Sequence, residues 1–262
     1  MYNILLNYNK NIILIDSSYY VFYRFFATTK WFNMQKNVAD KDLDFTKAFL
    51  KHIQADINKI TKKFKTDKSN IVFCEDCPRS KIWRNDIFKD YKATRQLNQN
   101  FDQTVFSTFS EFIIDNNFKK ISLDRLEADD IVYIVHNKIK KNAKKITIIT
   151  NDNDYLQLLT DNTDIINMQF KNLKSRTNFE TGTANLFYKS IIGDKSDNIS
   201  KLSNTINKDL AMKISNYTEN EIKEFLLERN LYDKFLFNLK LISFQYIPDV
   251  YIETFDNIYT IE

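Results

Sequence analysis

The chain has 262 residues, of which 43% are hydrophobic and 27% are charged, which suffices for one large α/β domain with a smaller helical part. Its net charge of +4 is weak evidence for a nucleic-acid partner, because an average conceals local patches. No apolar run approaches the roughly 18 residues of a membrane-spanning helix, and the N-terminus lacks the basic start and the small-residue cleavage site of a signal peptide. We therefore expect a cytoplasmic monomer without a membrane partner.

Three short apolar runs are typical of buried parallel strands, since each is about five residues long and rich in β-branched side chains. They lie at 11–15, 70–74 and 145–149. Between them, apolar residues recur at helical spacing over 45–60, 105–114 and 129–139. Strands that alternate with helices indicate βαβ units. The expected fold class is therefore α/β, with a central, mostly parallel sheet flanked by helices.

From residue 186 onward the pattern becomes helical, and 220–237 is its clearest stretch. We expect an α/β core over 1–185 and a helical part over 186–262 packed on it.

The only two cysteines, Cys74 and Cys77, form a C-x-x-C pair. A zinc site would need two more ligands, and the two histidines, His52 and His136, are far away in the sequence. Because Cys74 ends an apolar run, packed thiols are favoured over a redox or metal role.

Each strand pattern is followed by an aspartate, and the carboxyl ends of parallel strands share one edge of a sheet, where ligands bind. Further acids begin the 129–139 helix in the motif EADD and follow residue 193 in the motif GDKSDN. Acids scattered along the chain are thus expected to meet. They are Asp16, Asp76, Glu127, Asp129, Asp130, Asp152, Asp154, Asp194 and Asp197.

Any one of these acids, taken alone, is explained as a helix cap or a loop residue. Together they would repel by about 4 kcal/mol per pair at 4 Å with an effective dielectric of 20, unless cations relieve the repulsion. Oxygen ligands without cysteine or histidine suit Mg²⁺ or Mn²⁺. Two such ions about 4 Å apart serve phosphodiester cleavage in known two-metal sites. A calcium loop of the form D-x-D-x-D-G does not occur in the sequence.

A basic segment with interleaved aromatic residues follows Asp76. It is explained either as a solvated helix face or as an element that grips phosphates and stacks on a base, and its position beside the acidic edge favours the second reading. Its members are Arg79, Lys81, Trp83, Arg84, Lys89, Tyr91, Lys92 and Arg95.

The segments IDSSYYVFYRFF, VFCEDCPRSKIWRNDIFKDYKATR, RLEADDIVYIV, ITIITNDNDYLQL and IIGDKSDNIS occur in this order. Together they resemble the 5′-nuclease superfamily, which includes flap endonucleases, the 5′-nuclease domain of bacterial DNA polymerase I and phage 5′-exonucleases. The likeness covers about residues 11–250. It is expected to be strongest to the ribonucleases H of T-even bacteriophages, which share the W-R pair, the following Y-K-x-x-R and a late Y-I-P-D.

The resemblance implies that the nine acids are metal-site carboxylates, with Asp16, Asp76 and Asp152 among the catalytic residues. It also implies that Lys92 contacts the scissile phosphate, that Arg95 lies nearby and that Arg84 is a basic position beside the tryptophan. The implied enzyme is a Mg²⁺-dependent 5′-3′ exonuclease or flap endonuclease, with Mn²⁺ as a substitute, which cuts DNA or RNA–DNA near 5′ ends. RNA-primer removal in phage replication is the implied role, in the host cytoplasm, with a single-strand-binding protein or sliding clamp as candidate partners.

One segment departs from the family pattern. In many relatives the G-D-x-x-D-N motif continues into a glycine-rich helix–hairpin–helix that holds duplex backbone and often K⁺. Here 199–214 contains no glycine but offers Lys201, Lys208 and Lys213, so we expect side-chain charge to hold the duplex. A PIN-like ribonuclease and a non-cutting nucleic-acid-binding module of the same fold stay open as alternatives.

Overall fold

A five-stranded sheet forms the centre of the molecule in the computed structural model, which describes residues 1–35, 44–96 and 99–262. All four strand pairings are parallel and the strand order is β4-β3-β2-β5-β6. A two-stranded parallel sheet joins β1 to β7 near the chain ends. The strands are β1 (Tyr2–Ile4), β2 (Asn11–Asp16), β3 (Ile71–Glu75), β4 (Lys119–Ser122), β5 (Lys145–Ile149), β6 (Thr163–Ile166) and β7 (Tyr259–Ile261).

Helices cover both faces of the central sheet and continue into a C-terminal helical part. They are α1 (Ser17–Gln35), α2 (Phe45–Phe64), α3 (Arg84–Ile87), α4 (Thr104–Asp115), α5 (Ala128–Ile139), α6 (Gly182–Ile192), α7 (Lys208–Ile214), α8 (Glu219–Leu227), α9 (Tyr232–Ile242) and α10 (Asp249–Ile258). Within the described parts of the chain, no helix is both long and apolar enough to cross a membrane.

Alternate residues of the central strands face two different hydrophobic cores, because successive side chains of a strand point to opposite faces. Ile13 and Ile15 pack with α1, α2 and α4 on one face. Ile12 and Leu14 pack with α5 and α10 on the other. A third core joins α6–α9 to residues of the basic segment, including Ile82 and Tyr91. This third core brings the C-terminal helices next to the carboxyl edge of the sheet.

The α/β class and the parallel sheet are confirmed, and the three predicted strands agree with β2, β3 and β5 to within one residue at each end. The stretch 220–237 is helical over most of its length, as predicted, but it is divided between α8 and α9. The chain turns between α8 and α9, where Asn230 adopts a left-handed φ of 54° and the Leu231 N–H bonds the Leu226 carbonyl at 2.9 Å. Such a residue after a helix end stops the helix.

The expected division at 185/186 falls inside α6. Since a helix is one cooperative unit, the division into a core and a helical part stays a prediction, and its boundary belongs before Gly182.

Candidate active site

A polar cleft of about 680 Å³ lies at the carboxyl edge of the sheet. Six of the nine acids singled out in the sequence line it, although they come from segments far apart in the chain. They are Asp16, Asp76, Glu127, Asp129, Asp152 and Asp194. The predicted convergence of the acids at this edge of the sheet is therefore observed for these six positions.

Asp16 ends β2 at the centre of the cleft. Its carboxylate accepts hydrogen bonds from the Tyr19 N–H at 3.0 Å, the Thr150 hydroxyl at 3.0 Å and the Tyr155 hydroxyl at 3.2 Å. Desolvation, with the neighbouring Asp76 carboxylate as a further cause, raises the pKa of Asp16 to about 7. A carboxylate that resists ionisation in this way is stabilised by a bound cation.

Asp76 connects β3 to the start of α5. Its carboxylate accepts the Ala128 N–H at 2.8 Å and the Ser18 hydroxyl. Carboxylates near helix N-termini are favoured by the helix dipole and by the free N–H groups there. Ser18, a residue of α1 that was not among the predicted site residues, thus holds the Asp76 carboxylate in place.

Glu127 is 4% exposed and holds three groups of the basic segment, of which Arg84 donates at 2.9 Å. It pairs with the Lys92 ammonium and accepts the Tyr91 hydroxyl at 3.1 Å. Burial alone would lower the pKa of Lys92, but the Glu127 and Asp197 carboxylates outweigh it and the pKa is raised. Lys92 is therefore charged at neutral pH, and it adopts a left-handed φ of 56° that directs its N–H to the Asp197 carbonyl at 3.0 Å.

Asp129 lies on the first turn of α5 and faces the cleft. Ligand atoms of Glu127, Asp129 and Asp130 lie within 4.8 Å of one another. Burial, with Asp130 and Glu127 as further causes, raises the pKa of Asp129 well above its usual value. This repulsion among oxygen donors matches the chemistry of a hard divalent cation, so the residues present fit such an ion.

The other side of the cleft is organised by Lys189, which the sequence analysis missed. Its ammonium pairs with Asp154 at 2.5 Å and Asp194 at 2.7 Å. Burial alone would raise the pKa of Asp194, but Lys189 outweighs it and lowers the value to about 2. The one available signal was the position of Lys189 one helical turn before Gly193, which ends α6 with φ 78°.

Gly193 could not be replaced by a larger residue without distortion. A Cβ at this position would lie 2.4 Å from the Ile199 carbonyl oxygen, and a positive φ is cheap only for glycine. The chain turns here so that Asp194 enters the cleft and bonds back to Ile199 through both backbone groups.

Three predicted metal ligands do not line the cleft, and each of them is paired with a cationic side chain. Asp130 pairs with Arg84, Asp154 pairs with Lys189, and Asp197 pairs with Arg95 at 2.5 Å. All three are buried, with exposures of 0%, 8% and 9%.

Three of the eight members of the basic segment differ from the expectation of a nucleic-acid contact surface. Trp83, Arg84 and Tyr91 are 2%, 1% and 4% exposed, so the expected stacking of Trp83 or Tyr91 on a base is contradicted. Their side chains pack inside because each polar group finds a buried acidic partner. Four other members of the segment are exposed, namely Arg79, Lys81, Lys89 and Arg95. The lysines of 199–214 are exposed as well, namely Lys201, Lys208 and Lys213.

A second cavity of about 660 Å³ adjoins the cleft and shares Asp76, Glu127, Lys92 and Arg95 with it. Its remaining wall includes the aromatic side chains of Phe101, Phe106 and Phe109, and Phe22 lines both cavities. Lys92 and Arg95 therefore stand where a polar chamber meets an apolar one.

Cys77 lines the second cavity, whereas Cys74 lies inside the core of β3. Both are buried and free, as the packed-thiol reading predicts, and burial raises the pKa of Cys77 to about 12.

A parallel sheet with converging acids at its carboxyl edge defines a candidate metal-dependent site on an α/β fold. The family described as "5'-3' exonuclease, N-terminal resolvase-like domain" matches residues 11–185. The chain belongs to this family.

Several proteins are similar to this chain in sequence. A 5'-3' exonuclease of Bacillus subtilis (strain 168) is 30% identical over 203 residues, which cover 72% of this chain and 64% of that protein. Ribonuclease H of Enterobacteria phage T4 is 26% identical over 221 residues, which cover 72% of this chain and 69% of that protein. The T4 protein is thus one of several distant relatives, and the chain spans just under two thirds of the Bacillus protein.

The fold is similar to that of the bacteriophage T5 D15 protein. The T5 D15 protein co-crystallised with metal ions superposes with a TM-score of 0.66 at 15% identity, over 95% of this chain and 97% of that one. A variant of the T5 D15 flap endonuclease in a pseudo-enzyme-product complex with DNA and metal ions superposes with a TM-score of 0.67 at 15% identity. Identity this low establishes the shared fold alone.

Proposed function

We propose that this protein is a divalent-metal-dependent 5′-nuclease that hydrolyses phosphodiesters near the 5′ ends of DNA or RNA–DNA. The observation that carries the proposal is the meeting of six carboxylates from separate segments with four cationic side chains, Lys92 and Arg95 among them, in one cleft. The family membership supports it, as do the relatives named 5'-3' exonuclease.

The six cleft carboxylates would hold the metal ions. Glu127 and Asp129 form one group at the start of α5, and Asp152 and Asp194 face it from the β5 side. Bound Mg²⁺ or Mn²⁺ would supply water activation and charge neutralisation at the scissile phosphate. Asp16 and Asp76 lie between the two groups at the ends of β2 and β3, so both are proposed as catalytic.

Lys92 and Arg95 are proposed to bind the scissile phosphate. Both line the cleft, and both are paired with acids, Lys92 with Glu127 and Arg95 with Asp197. A charged group that is positioned before the reaction stabilises the negative charge that develops during attack at little reorganisation cost.

The aromatic cavity beside Lys92 supports a substrate with an unpaired strand. Phe22 is 37% exposed and its ring lies 4.2 Å from that of Phe101. Aromatic faces of this kind accept bases without regard to sequence. We accordingly propose a flap or a 5′ single-stranded end as substrate, and RNA-primer removal in phage replication as its role. A single-strand-binding protein or sliding clamp is proposed as partner.

Digestion of end-labelled flap, nicked and RNA-primed duplexes with Mg²⁺ tests the proposal. The expected result is cleavage near the 5′ end that EDTA abolishes and Mn²⁺ restores. Tight binding without cleavage would instead favour the non-cutting module, and cleavage of free single-stranded RNA alone would favour a PIN-like ribonuclease.

A further inference from the structure

The guanidinium of Arg84 is buried at the joint between α5 and the C-terminal helices. It is 1% exposed, and its Cζ atom lies 4.6 Å from the Trp83 ring centroid. Its Nε donates to the Leu241 carbonyl at 2.9 Å, while Nη1 donates to Glu127 at 2.9 Å. A fully buried arginine with partners on both sides fixes the geometry between them, because its planar fork of donors is rigid.

Asp130 is the main counter-ion of this arginine. Its two oxygens accept Nη1 and Nη2 of Arg84 at 2.8 and 2.7 Å. One of them also accepts the Trp83 indole N–H at 2.9 Å and the Glu127 N–H at 3.2 Å. The carboxylate is 0% exposed, so its charge is neutralised and its lone pairs are largely used inside the protein.

The preceding residue of α5, Asp129, differs from Asp130 in its surroundings. It faces the cleft. Successive residues of a helix are about 100° apart around its axis. One carboxylate of the pair therefore points to the cleft and the other to Arg84.

We propose that Asp130 is not a metal ligand but an anchor for Arg84, and that Arg84 is a positioning residue that aims Glu127 at the metal site. The proposal rests on the proposed metal-dependent function, and it divides the acids of the EADD motif by role. Although an Asp130 oxygen lies within 4.8 Å of oxygens from Glu127 and Asp129, a cation there would have to displace the bidentate Arg84 or face its charge.

Crystals of the unaltered protein soaked with Mn²⁺ give the direct test, because the anomalous signal locates each ion. We expect ions in contact with Asp129 and Glu127 at about 2 Å, with the Arg84–Asp130 pair intact. An ion bonded to either oxygen of Asp130 overturns the proposal.

Two adjacent substitutions form a matched pair. Asp130→Asn leaves the buried Arg84 partly uncompensated, so the Tm without metal should fall by about 10 °C, while the number of Mn²⁺ ions counted by electron paramagnetic resonance stays the same. Asp129→Asn should leave the Tm unchanged or raise it and should weaken Mn²⁺ binding. The reverse assignment of effects between the two variants contradicts the proposal.

Arg84→Lys tests the positioning role, because lysine keeps the charge but cannot bridge both carboxylates and the Leu241 carbonyl. Loss of ligand orientation typically weakens metal binding about 10- to 100-fold, so Mn²⁺ affinity should fall by at least tenfold. A lower Tm with unchanged Mn²⁺ affinity would assign Arg84 a structural role only and overturn this part.

The same measurements distinguish a failure of the roles assigned to Asp130 and Arg84 from a failure of the proposed nuclease function. If no substrate is cut but Mn²⁺ binds as described, the function fails and the division of roles stands. If the cleft takes no Mn²⁺, the metal-dependent function and the aiming role of Arg84 both fail.

Discussion

Lys92 lies at the junction of two cavities, and its role can be separated from that of the exposed basic residues near it. We expect Lys92→Ala to lower kcat by a factor of order 10² or more with little change in the dissociation constant of the substrate, because its charge acts mainly in the transition state. Single-turnover cleavage and binding with Ca²⁺ in place of Mg²⁺ measure the two quantities.

Arg79 and Lys81 provide the matched comparison, since both are exposed and lie in the same segment. Replacing either with alanine should weaken binding and flatten its salt dependence, with turnover of bound substrate preserved. If Lys92→Ala raised only the dissociation constant, the roles would be reversed.

Asp152 follows β5 and is exposed to the cleft. We expect Asp152→Asn to abolish cleavage, because an amide is a poor ligand for a hard cation. The Tm without metal should hold or rise, since one member of a repelling set is neutralised. Asp161→Asn, an exposed acid in the following turn, is the control and should change neither quantity. Cleavage by Asp152→Asn at the wild-type rate would remove Asp152 from the site.

The sequence predicts which residues lie near the site, but not which way their side chains point. It placed nine acids near one edge, yet it could not tell Asp129 from Asp130, because the difference lies in the rotation of one helix against Arg84. Trp83 and Tyr91 look like exposed stacking residues in the sequence, but Trp83 is buried in the core that includes α5 and Tyr91 in the core formed by α6–α9.

At the scale of elements, the sequence predicts what is buried on both sides. Residues 12–15 of β2 are fully buried, so the strand stands out as an apolar run, and the same holds for β3 and β5. Strand β4, Lys119–Ser122, has one buried residue at the sheet edge, and a four-residue strand of this kind carries little periodic signal. Lys189 was missed for a related reason, because a lysine on an amphipathic helix is usually solvated.

The α6–α7 connection is the element in which this chain departs from the glycine-rich pattern. Positive φ is taken by Gly193 and Asn198, and 199–214 presents exposed Lys201, Lys208 and Lys213. We expect the duplex to be held by these side chains, so affinity should fall steeply with salt and should not depend on whether the salt is KCl or NaCl.

Titration of labelled nicked duplex in the two salts at equal ionic strength, with Ca²⁺ to prevent cutting, measures this. Lys208→Gln with Lys213→Gln should weaken binding and lower the salt slope. Lys141→Gln with Lys144→Gln, which alters two exposed lysines before β5, is the control. A clear gain in affinity specific to K⁺ would contradict the prediction and indicate a K⁺ site built from backbone groups.

At the scale of the whole molecule, the hydrophobic cores hold together a site in which the acidic side chains repel one another. Three hydrophobic cores meet at the carboxyl edge of the sheet, and the acids stand where the cores join. Burial raises the pKa of both Asp16 and Asp154 to about 7, well above their usual 3.8. Each therefore binds a proton more tightly in the folded protein than in the unfolded chain.

This difference fixes the sign of a pH effect on stability. A group with a raised folded pKa contributes stability that is fully present below about pH 4 and is lost as pH rises through about 7. The metal-free Tm should thus fall between pH 6.5 and 8. Over this range the free energy of unfolding decreases by at most about 1.4 kcal/mol per pH unit for each group. Below that window His136 acts in the opposite direction, because burial lowers its pKa to about 4 and its protonation favours unfolding.

Saturating Mg²⁺ should remove or reverse this slope, because the ion binds the ionised carboxylates and only the folded protein brings them together. Thermal unfolding in EDTA and in Mg²⁺ across the window measures both slopes. Asp16→Asn should flatten the slope in EDTA and reduce the gain from Mg²⁺, whereas Asp161→Asn should change neither. A metal-free Tm that rises from pH 6.5 to 8 would show that the cleft acids are not under strain, and the main physical reason for placing cations among them would be lost.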